Sequence, residues 1–132
     1  METDIFSGKK FLLVEDQESI SSMYKKFFER SGAEVMVAPR GTEALEILKD
    51  HAFDLIFLDR NLGADMDGFQ VLEHIRQNEK TKSTAVVILS NLALKDDEIA
   101  FIEKHNVAGY YTKASVPLNV LEEAVTAIVR DR

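Results

Sequence analysis

Five residues share one setting in this chain. Glu15 and Asp16 follow the apolar run KFLLV, Asp59 follows FDLIFL, Ser90 follows AVVIL, and Lys113 follows a run ending in GYYT. If the ends of those runs meet in the fold, three carboxylates meet with them. Carboxylates at close range repel one another and raise one another's pKa unless positive charge intervenes. A hard cation with oxygen ligands resolves the conflict, and Mg²⁺ (or Mn²⁺) suits a site offering only a few carboxylates. Lys113 adds a fixed positive charge and Ser90 a hydroxyl donor. A metal, an ammonium, a hydroxyl and a carboxylate nucleophile are the parts phosphoryl transfer needs, because positioning and charge neutralisation do most of the catalysis. Carboxylates do form acyl phosphates. Asp59 is the candidate nucleophile, since it ends the central run, between the acidic pair and the Ser90–Lys113 side.

Each residue alone has an ordinary reading. A strand-end Asp commonly forms a turn, a Ser after a strand caps the next helix, an acidic loop pair is solvated, and a Lys late in a chain lies on the surface. Those readings do not together produce reactive residues at the ends of four strands out of five.

The elements that must position these residues follow from periodicity. Lys10 to Val14 reads as a first strand. Ser19 to Ser31 reads as a helix with Ile20, Met23, Tyr24, Phe27 and Phe28 inward. Gly32 sits at the helix C′ position. Glu34 to Ala38 is a second strand, and Thr42 to Lys49 a short helix with Ala44, Leu45 and Leu48 inward. Phe53 to Leu58 is a third strand ending in Asp59, followed by a loop from Arg60 to Met66 and a helix opened by Asp67-Gly68 that carries Phe69, Val71, Leu72 and Ile75. Ala85 to Leu89 is a fourth strand, Asp96 to His105 a helix, and Val107 to Thr112 a fifth strand. Pro117 opens a last helix, with Leu118, Leu121, Val125, Ile128 and Val129 inward.

Strict strand–helix alternation predicts a parallel sheet with helices on both faces. In such sheets sites form beyond the carboxyl ends of the strands, near the switch in strand order. A 2-1-3-4-5 order makes strands one and three neighbours and brings Glu15, Asp16 and Asp59 together. Strand two, an edge, contributes no chemistry.

Composition narrows the function classes. At 132 residues the chain fits one domain with one core. A net charge of −7 argues against direct nucleic-acid binding, which needs a basic face. Cysteine is absent, which excludes disulfides and thiolate metal sites. No apolar run approaches the roughly 20 residues that span a bilayer, and Met1 to Ser7 lacks the order of a signal peptide. A soluble cytoplasmic protein with no membrane contact is the expectation.

With these residues in place, the chain resembles the receiver domains of two-component response regulators. FLLVEDQ, DLIFLDRNL, DGFQVLEHIR, VVILSN and GYYTKA carry the resemblance, which runs from about Lys10 to Arg130. It implies a flavodoxin-like (βα)5 three-layer sandwich of order 2-1-3-4-5, a single receiver domain over 1–132 with its core at about 10–130. It implies roles as well. Asp59 matches the phosphoacceptor, Asp16 a direct metal ligand, Glu15 a ligand acting through water, and Asn61 a ligand through its backbone carbonyl. Ser90 and Lys113 match the residues that bind the phosphoryl group, and Tyr110 the aromatic that swings inward as Ser90 is recruited. The donor implied is a sensor histidine kinase or phosphotransfer protein, and hydrolysis resets the domain, which has no other enzymatic activity. Output passes to a partner the sequence does not identify, or to a phosphorylation-dependent homodimer through the 96–112 face. The chain is read as a stand-alone receiver or as cut from a longer regulator.

Two departures from the family pattern concern loops. Ala114 follows Lys113 where proline in a cis bond is usual, and a cis bond to a non-proline residue costs about 3–4 kcal/mol. Gly63 stands where the family usually has proline, and Asp67-Gly68 falls one residue late. Arg60 is read as a solvent-exposed loop residue, with modulation of the nucleophile as the alternative. His51, His74 and His105 are read as surface or cap residues, Phe27, Phe28 and Phe57 as core, Tyr111 as sheet packing, and the charges of the 96–105 helix as solvated. Competing functions are a flavin-binding electron carrier, against which EDQES stands where a phosphate-cradling loop is needed; an aspartyl phosphohydrolase, against which Asn61 stands where a second Asp is needed; and a receiver that binds partners without phosphate.

Overall fold

The computed structural model describes residues 4–63, 65–113 and 115–130. Five strands and five helices alternate along it: β1 Lys10–Val14, α1 Glu18–Arg30, β2 Glu34–Ala38, α2 Gly41–Asp50, β3 Leu55–Asp59, α3 Gly68–Gln77, β4 Ala85–Ser90, α4 Asp96–Lys104, β5 Gly109–Thr112 and α5 Leu118–Arg130. The strands form one parallel sheet in the order β2-β1-β3-β4-β5. The expected flavodoxin-like architecture is the one observed. β3 and β4 are buried along their whole length, as strands covered on both faces should be.

Because successive strand residues point to opposite faces, the sheet divides its side chains between two cores. Phe11, Leu13, Leu55, Phe57, Val87 and Leu89 pack under α1 and α5 with Tyr24, Phe28, Leu121 and Val125. Leu12, Val14, Ile56, Leu58, Val86 and Ile88 pack under α2 and α3 with Ala44, Leu48, Val71, Leu72 and Ile75. This parity, carried past the strand ends, decides which reactive residues can meet.

Several boundaries differ from expectation for identifiable reasons. β3 begins at Leu55 and not Phe53: Asp54 takes the Lys10 N–H on its carboxylate (2.8 Å) and gives its own N–H to the Lys10 carbonyl (2.8 Å), so it fastens the strand start. β5 begins at Gly109 and not Val107, because Asn106 turns the chain with φ 58° and the Val107 N–H closes back on the Ile102 carbonyl. Met23, expected inward, is 45% exposed. Phe27 only flanks the core on which Phe28 and Phe57 stack, 4.9 Å between ring centres.

The segment before β1 also belongs to the core. Phe6 is fully buried and its ring meets Phe11 at 5.3 Å and Phe28 at 5.8 Å. The Phe6 N–H donates to the Ser31 carbonyl at the end of α1, which holds the segment in place. Among the described residues no helix is long and apolar enough to cross a membrane.

Candidate functional site: an acidic cluster at the sheet switch point

Register builds the site. Val14 pairs with Leu58, so the next residues, Glu15 and Asp59, leave adjacent strands side by side. Both share the parity of Leu13 and Phe57, hence one face. Ser90 pairs with Thr112, and the Lys113 N–H donates to the Ser90 carbonyl at 2.9 Å, which fixes where the lysine leaves β5. Lys113 shares the parity of Tyr111, so its side chain turns to the same face as Glu15 and Asp59.

The result is a tight ionic cluster. Lys113 Nζ donates to Glu15 Oε1 at 2.7 Å and to Asp59 Oδ2 at 3.1 Å. The Asn61 N–H donates to Asp59 Oδ1 at 3.1 Å, and the Gln17 N–H to Glu15 Oε2 at 3.1 Å. Glu15 is 2% exposed and Asp59 5%, whereas Asp16 is exposed at the rim. Oxygens of Glu15, Asp16 and Asp59 lie within 4.8 Å of one another. A cavity of about 190 Å³ opens beside them, bordered by Asp16, Gln17, Asp59, Asn61, Asn91 and Lys113.

Burial pushes the Glu15 carboxyl up to about 7, with the charge of Asp59 acting in the same direction and the bonds from Lys113 and Gln17 opposing it. Burial alone would lower Lys113, but its bonds to Glu15 and Asp59 outweigh burial and raise it. The two partners thus pull oppositely: the lysine prefers an ionised Glu15, while Glu15 itself leans toward the neutral form. Burial prevails at Glu15, because one ammonium shared between two carboxylates leaves the cluster short of positive charge. Three oxygen donors at close range with that deficit fit a hard divalent cation. Glu15, Asp16 and Asp59 are the side chains that could hold it.

Ser90 and Tyr110 are placed differently from the acidic cluster. Ser90 is fully buried and its Oγ accepts the Leu92 N–H at 3.1 Å, while the Tyr110 hydroxyl donates to the Leu92 carbonyl at 2.7 Å. Both side chains therefore hold the backbone of one residue, Leu92, in the loop before α4. The serine hydroxyl hydrogen is not used in that bond. Asn61 is exposed and its backbone faces Asp59.

The loop after Asp59 is closed by glycine. The Gly68 N–H donates to the Arg60 carbonyl at 2.8 Å, and a Cβ at Gly68 would lie 2.3 Å from the Asp59 carbonyl oxygen. Asp67 caps α3: its carboxylate accepts the Gln70 N–H and the Gln70 side chain accepts the Asp67 N–H, both at 2.9 Å. Gly63 has φ 95°, a conformation closed to proline, which is locked near −65°. Proline could not occupy this position in the loop as it stands. Ala114 lies outside the described residues, and the geometry of the Lys113–Ala114 bond with it.

Two readings of charged residues are overturned. Arg60 is not a solvated loop residue. Its side chain is 15% exposed, pairs with Glu98 of α4 and lies over the Phe69 ring at 4.8 Å. Glu98 is correspondingly 16% exposed and not simply solvating its helix. The clue available in the sequence was parity: Arg60 follows Asp59 and so faces the opposite side of the sheet, toward α3 and α4. His51 and His74 are exposed. His105 is half-buried, stacked on Phe101 at 4.1 Å with Nδ1 2.8 Å from the Phe101 carbonyl.

A doubly wound sheet with an acid cluster and a lysine at its switch point defines a class of α/β domain. The chain matches the response regulator receiver domain family over residues 11–126 and belongs to it. It is a signalling domain. It is 34% identical over 115 residues to the autoinducer 2 sensor kinase/phosphatase LuxQ of Vibrio parahaemolyticus, covering 87% of this chain and 13% of that protein. It is 29% identical over 112 residues to the polar-differentiation response regulator DivK of Brucella ovis, covering 85% of this chain and 87% of that one. Among solved structures, the receiver domain of the Francisella response regulator 1452 superposes with a TM-score of 0.80 at 26% identity, over 95% of this chain and all of that one.

Proposed function

We propose that this domain accepts a phosphoryl group on Asp59 from a phosphohistidine of a sensor histidine kinase or phosphotransfer protein, in a reaction that requires Mg²⁺ or Mn²⁺. In the transfer an Asp59 carboxylate oxygen bonds to phosphorus as the P–N bond of the donor breaks, its electron pair returning to the imidazole nitrogen. Water later cleaves the acyl phosphate, which restores the carboxylate and releases phosphate. Asp16, Asp59 and Glu15, with the Asn61 carbonyl, would hold the cation, which when bound neutralises charge on the transferring oxygens. Lys113, already within bonding distance of Asp59, neutralises a further oxygen. The observation that carries this reading is the meeting of Glu15, Asp16 and Asp59 within 4.8 Å, with Lys113 bonded to two of them.

Ser90 would donate its free hydroxyl hydrogen to the phosphoryl group. Its hold on the Leu92 N–H would then loosen, and Tyr110, bonded to the same residue's carbonyl, would be released inward. The 96–112 face would change, to be read by an output protein or a second copy of the domain. In this reading residues 1–132 act as one receiver in the cytoplasm, with no chemistry beyond their own phosphorylation and dephosphorylation and no nucleic-acid or membrane contact of their own. Incubation with acetyl phosphate and Mg²⁺ should add one phosphoryl group by mass to the native protein and none to Asp59→Asn. Equal labelling of the two, or labelling of neither, sinks the proposal.

A further inference from the structure

Helix α4 has no fully buried residue, so its position depends on a few half-buried contacts. Ile102 packs on the core, and the other contacts form one row. The Arg60 guanidinium pairs with Glu98 and lies over the Phe69 ring. Phe69 stacks on Phe101 at 4.8 Å, and Phe101 on His105 at 4.1 Å. Arg76 finishes the row by donating from Nε to the His105 carbonyl at 2.7 Å. Glu98, Phe101 and His105 are spaced i, i+3, i+7 and so share one side of α4. The row starts on the residue bonded to Asp59.

We infer that Arg60 is a positioning residue that couples the state of Asp59 to α4, by a route separate from Ser90 and Tyr110; this rests on the phosphoacceptor reading above. Three observations carry it. Strand parity sends Arg60 to the face opposite Asp59, so one peptide links the nucleophile to α4. Glu98 serves two ends at once, since Oε1 accepts the Lys95 N–H at 2.8 Å and caps the helix while Oε2 meets Arg60. Arg60 is also held with its second terminal nitrogen buried and without a hydrogen-bond partner among the described residues. A guanidinium with unused donors is open to competition from a new anion, and a phosphoryl group brings about −1.5 to −2 charges to the neighbouring side chain. The Arg60–Glu98 pair therefore favours the α4 position described here, and phosphorylation weakens it. Coupling is reciprocal, so weakening the pair first must strengthen binding of the phosphoryl group.

The test uses beryllofluoride with Mg²⁺ as the phosphoryl mimic, on the wild type, Glu98→Gln, Arg60→Gln and the double variant. Glu98→Gln can keep the oxygen that caps α4 while it removes the charge and the acceptor that meets Arg60. Calorimetry gives the affinity and hydrogen exchange reports on amides 96–105. The expected result is faster α4 exchange in each single variant before beryllofluoride is added. Glu98→Gln, which frees Arg60, should bind it about fivefold more tightly, within the usual range of such couplings, and that gain should vanish in the double variant, which has no guanidinium to free. Affinity within twofold of wild type in Glu98→Gln overturns the coupling, whatever the exchange shows, and leaves the pair a packing feature. A gain in Glu98→Gln that persists in the double variant also overturns it, because the effect then does not pass through Arg60. If the wild type binds no beryllofluoride, the phosphoacceptor reading falls and this inference falls with it.

Discussion

Glu15 should make the metal-free domain less stable as pH rises. Its carboxyl is 2% exposed, so the folded chain holds it away from water whether or not it is charged. Burial moves its pKa from 4.5 to about 7. The folded state therefore binds this proton more tightly than the unfolded chain. The stabilisation is complete below about 4.5 and is lost as pH rises through about 7. At about 1.4 kcal/mol per unit the whole window is worth about 3 kcal/mol, of which about 2 kcal/mol falls between roughly pH 5.5 and 8. Urea unfolding in EDTA across that range should show the loss in the midpoint with an unchanged m-value. Glu15→Gln cannot ionise and keeps an oxygen for only one of its two donors, Lys113 or Gln17, so whatever its overall stability its slope should be smaller by the same amount. His51, His74 and His105 are common to both proteins, so the difference isolates Glu15. Mg²⁺ should act in reverse: it needs the ionised carboxylate, so its apparent affinity should climb through pH 7 and its addition should flatten the wild-type slope. Equal slopes in wild type and Glu15→Gln would falsify the assignment of the buried charge.

Four further outcomes are expected. Phe6→Ala, which empties a fully buried site against Phe11 and Phe28, should cost about 3–5 kcal/mol by urea unfolding; a loss under 1 kcal/mol would show that the segment before β1 is not core. Gly68→Ala drives a Cβ into the Asp59 and Arg60 backbone at 2.3 and 2.7 Å, so both stability and beryllofluoride affinity should fall. Gly63→Ala, with open space but φ 95°, should cost only about 1–2 kcal/mol and spare binding, so a reversed ranking of the two glycines contradicts the account of the loop. Tyr110→Phe removes the bond to the Leu92 carbonyl (2.7 Å) and should leave Asp59 phosphorylation intact while changing exchange in residues 90–96; unchanged exchange there argues against a Leu92 hinge.

The fold and the acidic cluster were legible because both depend on patterns local to a strand. Runs such as LIFL and AVVIL announce buried parallel strands, and a polar residue at the end of each announces the carboxyl edge. What was not legible depended on the far side of a contact. Phe6 looked like the start of a chain because its partners, Phe11 and Phe28, belong to elements already explained without it. Val107 looked like strand because it is β-branched, but its N–H is used to close the turn after α4. Met23 fits the apolar spacing of α1 and still faces out, since a helix can carry one more apolar residue than the sheet can cover. Arg60 is the most instructive case. Its type suits a solvated loop, but its parity places it against Phe69 and Glu98, where an exposed loop arginine is turned into a nearly buried ion pair. Extending the alternation of β3 one residue beyond Asp59 would have found it. The same rule that sends the nucleophile to one face of the sheet sends its neighbour to the other, so the chemistry of Asp59 and the packing of α4 are joined by a single peptide bond.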